Sequence, residues 1–311
     1  MAKTPISTID LNFQDSPQVI ASYVIRHSAG VALIESGPGS TRARLQAGLA
    51  ELGFSPRDVT HVLLTHIHLD HAGGAGLLMS KLPNAQLTVH PRGARHMTDP
   101  GKLTESTNAV YGAEAARRIF GEIMPVPRSR IIETAHGSSL KLNGREFVFF
   151  DTPGHARHHV CVLDTRARHL FAGDTFGLSY REFDCDGRQF AFPTTSPVHF
   201  DPAAAHRSLD LILGLKPGAI YVTHYSQVRD IARMGADMHR LIDAHVQLAR
   251  RERDAGQERH RRLKAGVTKI VRSEAQRHQW RLPHERVIEV LAGDIELNAL
   301  GLGVWLDTQV K

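Results

Sequence analysis

Apolar positions near the start of the chain fall into two short runs, Val19–Ile25 and Val31–Glu35. A polar turn at Ser28–Gly30 separates them, which predicts two paired strands. The Gly37-Pro38-Gly39-Ser40 cluster ends the second run, and Arg42–Leu52 then shows helical spacing up to Gly53. Val62-Leu63-Leu64 is a short buried-strand pattern that leads straight into His66. Helical spacing returns at Ala72–Lys81 and at Asn108–Phe120. Leu140–Asp151 predicts a hairpin, with Asn143-Gly144 as its two-residue turn. Val160–Leu163, His169–Phe171 and Ala219–Val222 predict further strands. Strands alternating with helices argue for an α/β or α+β fold in which helices cover sheet faces.

From Met234 the pattern changes. Met238, Leu241, Ile242, His245 and Leu248 keep helical spacing, with Gly256 as a stop. Val267, Ile270 and Val271, then Pro283 with Val287, Ile288 and Leu291, predict two more helices. The expected organisation is a main domain over residues 1–233 and a helical C-terminal extension over 234–311. No internal repeat or low-complexity segment interrupts either.

Composition narrows the class. A chain of 311 residues, 41% hydrophobic and 23% charged, excludes a collagen, a coiled-coil rod and wholesale disorder. Its 38 basic and 32 acidic side chains leave a formal charge of +6. That balance favours anionic ligands without requiring nucleic acid. Cys161 and Cys185 show no CxxC spacing, which points to a reducing compartment. The first fifteen residues lack the basic and apolar regions of a signal peptide, and no apolar run approaches the roughly 18 residues of a spanning helix. A cytoplasmic protein with no membrane partner is therefore expected. The outlying number is 20 His.

Their placement carries the chemistry. In Thr65-His66-Ile67-His68-Leu69-Asp70-His71-Ala72-Gly73-Gly74, residues i and i+2 of an extended segment point the same way, so His66 and His68 can share one metal. Asp70 and His71 fall where the chain turns toward a helix and can face a second. Imidazole and carboxylate suit zinc, and also manganese or iron. For any single His a satisfied polar loop is the ordinary explanation; for four such residues at this spacing it is a poor one.

This stretch resembles the HxHxDH signature of the metallo-β-lactamase fold superfamily, and three later segments match that family's order. They are Phe150-Asp151-Thr152-Pro153-Gly154-His155, Leu170-Phe171-Ala172-Gly173-Asp174-Thr175 and Tyr221-Val222-Thr223-His224. The resemblance covers roughly residues 19–225, and its glyoxalase-II-like branch is the expected one. It implies a four-layer αββα sandwich, with residues 1–233 as the catalytic domain. It also implies that His66, His68 and His155 hold one ion, that Asp70, His71 and His224 hold the other, and that Asp174 bridges them. The family's first motif usually places an Asp before its glycine, whereas Glu35-Ser36-Gly37 stands here. That position is structural in the family, so the departure concerns loop anchoring; a surface strand end is the alternative for Glu35.

The resemblance implies two divalent ions, zinc first, with iron or manganese open. Such a pair lowers the pKa of a shared water toward about 7 and polarises a carbonyl or phosphoryl oxygen. Asp70 is then also the residue expected to aim the resulting hydroxide. Asp151 is a candidate support for a ligating imidazole, or else a solvated turn residue. The leading function is a metal-dependent hydrolase of a small ester-like bond: thioester, lactone or lactam. Alternatives on the same fold are a phosphodiesterase or nuclease and a mononuclear iron sulfur dioxygenase.

For the substrate side, Phe176, Tyr180, Phe183, Phe190, Phe192 and Phe200 crowd one connecting segment after Asp174. Phe176, Tyr180, Arg181 and Phe192, with Tyr225 beside His224, are candidate substrate contacts; the competing explanation is an aromatic patch that packs the tail. His159 is expected to be structural. Eleven basic residues between Arg250 and Arg281 admit a phosphate-binding surface, but a solvated amphipathic face is favoured. A small-molecule substrate is thus expected rather than nucleic acid, with self-association left open.

Overall fold

The computed structural model describes residues 6–309. Twelve strands among these form two six-stranded sheets. The first contains β1 (Ile6–Asp10), β2 (Ala21–His27), β3 (Gly30–Ile34), β4 (Val59–Leu63), β5 (Gln86–Val89) and β6 (Ile131–Glu133), in sequence order. Its pairings are antiparallel from β1 to β3 and parallel from β3 to β6. The second contains β7 (Ser139–Leu142), β8 (Arg145–Asp151), β9 (Val160–Asp164), β10 (His169–Gly173), β11 (Ala219–Val222) and β12 (Ser226–Val228). Helices α1 (Arg42–Glu51), α2 (Leu69–Ala72), α3 (Ala75–Met79), α4 (Pro91–Thr98), α5 (Gly101–Tyr111) and α6 (Ala113–Phe120) accompany the first sheet. The remaining helices are α7 (Pro202–Gly214), α8 (Ile231–Arg251), α9 (Arg259–Arg277), α10 (His284–Val290) and α11 (Ala292–Thr308). This is an α/β sandwich with C-terminal helices.

Contacts divide the described chain into two compact units. The first runs to Asp151 and takes in His158–Gly173 and Gly218–Gln227; the second comprises Thr152–Arg157, Asp174–Pro217 and the chain from Val228. Both sheets lie in the first unit, apart from the last residue of β12. Side chains alternate between its two cores with the period of a strand. Tyr23, Ile25, Ala32, Ile34 and Leu63 face Phe147, Phe149, Val160, Val162 and Phe171 between the sheets. Val24, Val31, Leu33 and Val62 point the other way, to Leu45, Leu49, Leu78 and Phe120 from the helices.

Local chemistry explains where the predicted elements stop. Asn143 and Gly144 both have positive φ, 45° and 85°, as a two-residue hairpin turn of matching twist requires. The helix expected over 108–120 is broken at Gly112, whose φ of 79° no helix accommodates, giving α5 and α6 instead. The single helix expected over 72–81 is likewise two short ones, parted by Gly73 and Gly74. In the second unit α8 is longer than its apolar core and ends at Arg251, before Gly256. No described helix is long and apolar enough to cross a membrane.

Candidate metal centre

Strand β4 ends at Leu63, and the chain passes through Thr65 into the His66–His71 motif, so a buried strand fixes where the imidazoles start. Glu35, the next residue after β3, is the support behind them. It is fully buried rather than a surface strand end, with φ of 65°. A left-handed non-glycine residue costs on the order of 1 kcal/mol and persists where its surroundings over-determine it. Here the carboxylate accepts from the Thr65 amide at 3.3 Å, the Thr65 hydroxyl and the Thr223 hydroxyl at 3.3 Å, and lies 3.2 Å from His71 Nδ1. The Ser36 amide and hydroxyl both donate to the His71 carbonyl, at 3.0 and 2.9 Å. This loop is anchored to the imidazole turn on both its backbone and its side chain.

The same division of labour recurs at four of the histidines. His71 turns Nδ1 to Glu35 and Nε2 to Asp70 Oδ2 at 3.5 Å. His224 turns Nδ1 to the Val19 carbonyl at 3.1 Å and Nε2 to Asp70 Oδ2 at 3.2 Å. His66 places Nδ1 3.1 Å from the Thr65 hydroxyl and Nε2 3.0 Å from His68 Nδ1. One ligand atom from each of Asp70, His71 and His224 lies within 4.8 Å of the others. In the second unit, His155 sets Nδ1 2.8 Å from the Thr194 hydroxyl and Nε2 3.5 Å from Asp174 Oδ2. Metal-binding imidazoles characteristically commit one nitrogen to the protein and leave the other for the ion. The donor set therefore fits divalent metal ions.

Electrostatics agree. Burial alone would raise the Asp70 pKa, but the charges of His71 and His224 and their hydrogen bonds outweigh it. They hold the carboxyl well below its usual range, so Asp70 is an anion, the form a cation requires. His159 is buried. A Cβ on Gly173 would meet its Nε2 and the Thr65 hydroxyl at 2.5 Å, so only glycine, here at φ of 48°, lets β10 end against them.

Other residues named from the sequence are placed as follows. The Asp151 carboxylate lies 3.2 Å from His90 Nε2, at the end of β5. Tyr111, at the end of α5, sets its ring 5.3 Å from that of Phe120. Its pKa is raised first by burial and then by the negative charge of Asp70. Phe176 and Phe192 are fully buried, and Tyr225 lies in the core between the sheets. The Tyr180 hydroxyl points to Asp294 at 3.3 Å, and Arg181 pairs with Asp184 at 3.2 Å. Phe183 and Phe190 pack on Trp280, with ring centroids 4.4 and 4.5 Å away. A further group, Asp237, Glu274 and His278, has metal-like spacing, but Arg240 already supplies its cation at 2.6–2.9 Å.

A two-sheet α/β sandwich whose strand ends carry imidazole–carboxylate clusters defines a divalent-metal-binding class of fold. Residues 16–224 match the metallo-beta-lactamase superfamily, and the chain belongs to that superfamily. It is 26% identical over 212 residues to the metallo-beta-lactamase fold-containing protein ST1585 of Sulfurisphaera tokodaii, covering 67% of this chain and 73% of that one. The crystal structure of ST1585 superposes with a TM-score of 0.61 at 23% identity, over 96% of this chain and 97% of that one. A metallo-beta-lactamase family protein of Thermus thermophilus, TTHA1429, gives a TM-score of 0.62 at 18% identity, over 98% and 93%. A hydroxyacylglutathione hydrolase of Xanthomonas campestris pv. campestris is 32% identical over 165 residues, which cover 53% of this chain and only 47% of that protein.

Proposed function

We propose that the chain is a metal-dependent hydrolase of a small ester-like bond, with a thioester as the first substrate class. The observation that carries this reading is the orientation of the imidazoles: at His71, His224 and His155 the anchored nitrogen leaves the other facing a carboxylate, and at His66 it leaves the other facing His68. The similarity to a hydroxyacylglutathione hydrolase supports the thioester choice. His66, His68 and His155 would hold one ion, Asp70, His71 and His224 the other, with Asp174 between them. Zinc is the proposed metal, with iron or manganese as outcomes of elemental analysis. When bound, the ions would supply an activated water and a Lewis acid for the scissile carbonyl.

The protein's own groups do the rest. Asp70 stays ionised, and with His71 and His224 both at Oδ2 it can accept a further hydrogen bond through Oδ1. Glu35 takes the hydrogen bond of His71 Nδ1 and so turns Nε2 toward Asp70. Tyr111 keeps its proton near neutral pH and can donate to a substrate oxygen. Against a nucleic-acid substrate stand the basic residues of the tail. Arg251, Arg259, Arg261, Arg262, Lys264, Arg277 and Arg281 are all ion-paired with carboxylates within the second unit. A panel of thioesters, lactones, lactams and phosphodiesters, run with and without chelator, tests the reading. Chelator-sensitive thioester cleavage is the expected result; oxygen consumption or phosphodiester cleavage alone would overturn it.

A further inference from the structure

We propose that helices α7 and α8 carry a separate surface cation site, built from His206 and His239 and suited to a borderline ion such as zinc. The two helices present the same spacing: His206-Arg207-Ser208-Leu209-Asp210 on α7 and His239-Arg240-Leu241-Ile242-Asp243 on α8. Residues four apart share a helix face. The pairing nevertheless crosses between helices. His206 Nε2 lies 3.2 Å from Asp243 Oδ1, and His239 Nε2 lies 3.4 Å from Asp210 Oδ1.

An ionised carboxylate only accepts, so each Nε2 is the protonated nitrogen and each Nδ1 carries a lone pair. Those two Nδ1 atoms are 2.6 Å apart. The rings are parallel within 4°, with centroids 5.0 Å apart. That separation exceeds the nitrogen distance by about two ring radii, so the lone pairs face each other across the gap. Two lone pairs so placed repel unless a cation stands between them. A proton is the smallest occupant, and a metal ion is the other.

The surroundings suit the metal. Imidazole pairs select zinc, copper or nickel, and a carboxylate on the far nitrogen fixes the ring and raises its basicity. Asp210 and Asp243 bring two negative charges, which match a divalent ion. With zinc–nitrogen bonds of about 2.0–2.1 Å in tetrahedral geometry, two ligand nitrogens stand roughly 3.3 Å apart. The rings must therefore part by less than about 1 Å. Both are about a quarter exposed, with side-chain accessibilities of 28% and 27%, which leaves room for that rotation and for water as the other ligands. None of these four residues belongs to the set assigned to the main centre, and all four lie in the second unit.

Zinc content after equilibrium dialysis of the full-length protein tests the site, comparing wild type with His206→Gln and His239→Gln. The expected result is one zinc equivalent fewer in each variant, with chelator-sensitive turnover unchanged and the zinc-induced rise in Tm reduced. Equal zinc content in all three proteins would overturn the proposal and leave a shared proton as the only occupant. The difference between wild type and variant is read whether or not the main centre hydrolyses the proposed substrate, so the two readings fail separately.

Discussion

Glu35 Oε1 lies 3.2 Å from His71 Nδ1, and neither side chain is exposed at all. A glutamate reaches this imidazole from a left-handed backbone position, and it also gathers Thr65 and Thr223. Removing it strips three groups of their acceptor and frees the His71 ring. Glu35→Ala is expected to lose about 3 kcal/mol of stability, the scale for breaking a buried pair. Metal affinity should fall roughly 10–100-fold, as for other partners of ligating imidazoles. Glu35→Gln keeps the size but not the charge and should retain more of both. Urea melts and metal titration of the two variants check this; an unaltered metal affinity in Glu35→Ala would remove Glu35 from the site.

Asp174 and His66 follow strand ends, so their loss should leave the sheets intact. Asp174→Ala and His66→Ala are expected to give folded proteins with turnover at background. Circular dichroism and the thioester assay check the pair together. Near-full turnover in either variant refutes the ligand assignment.

Much of the centre was legible because a metal site concentrates its information in few residue types. Imidazoles at i and i+2, with an acid beside them, stand out against any core pattern. Hydrophobic alternation likewise gave β2, β3, β9 and β11 within a residue or two, because each of these strands is buried on both faces or in strict alternation. The hairpin at Asn143-Gly144 was readable from the two residues whose backbone it demands. Strands β1, β5, β6 and β12 were missed: Ile6–Asp10 alternates with polar residues, and Ile131–Glu133 and Ser226–Val228 are only three residues long. Their identity comes from pairing partners far away in sequence. Glu35 was ambiguous for a similar reason. Nothing beside it in the chain reveals that Thr65, His71 and Thr223 converge on its carboxylate.

Tyr111 offers a test of the substrate side. Burial and the Asp70 charge both raise its pKa, so the phenol remains a donor at neutral pH. Tyr111→Phe should lower kcat/KM about tenfold, the worth of one hydrogen bond of roughly 1.4 kcal/mol, without changing metal content. Steady-state kinetics with elemental analysis separate the two. An unchanged kcat/KM would place the phenol outside the reaction.

The aromatic segment after Asp174 is a packing element where it meets the tail. Phe190 is buried against Phe183 at 5.9 Å and Trp280 at 4.5 Å. Phe190→Ala should cost about 3–5 kcal/mol, as for other buried aromatics. Its Tm should drop while KM, measured well below that temperature, stays within about twofold of wild type. A large KM change at constant Tm would instead make the segment a pocket wall.

His245 gives the protein an acid-sensitive element away from the metal centre. It is fully buried on α8, with Nδ1 2.7 Å from the Leu241 carbonyl and its ring 5.3 Å from that of Phe192. Burial lowers its pKa to about 4, against the smaller opposing pull of the Leu241 carbonyl and the Glu274 charge. The unfolded chain titrates near 6.5, so between about pH 6.5 and 4 the unfolded state binds a proton that the native state does not. Stability from this group is thus complete above pH 6.5 and falls as the solution is acidified toward pH 4. From pH 7 to pH 5 the loss amounts to about 2 kcal/mol. Glu274, whose pKa falls to about 2 despite burial because His278 and Arg240 hold its charge, adds its own loss only below about pH 4.5. The two windows therefore separate. In His245→Leu the cavity and lost hydrogen bond lower stability at both pH values, but the pH 7-to-5 decline should shrink by about 2 kcal/mol relative to wild type. Urea denaturation at the two pH values measures that difference directly, and an identical decline in both proteins would show that His245 is not the group being titrated.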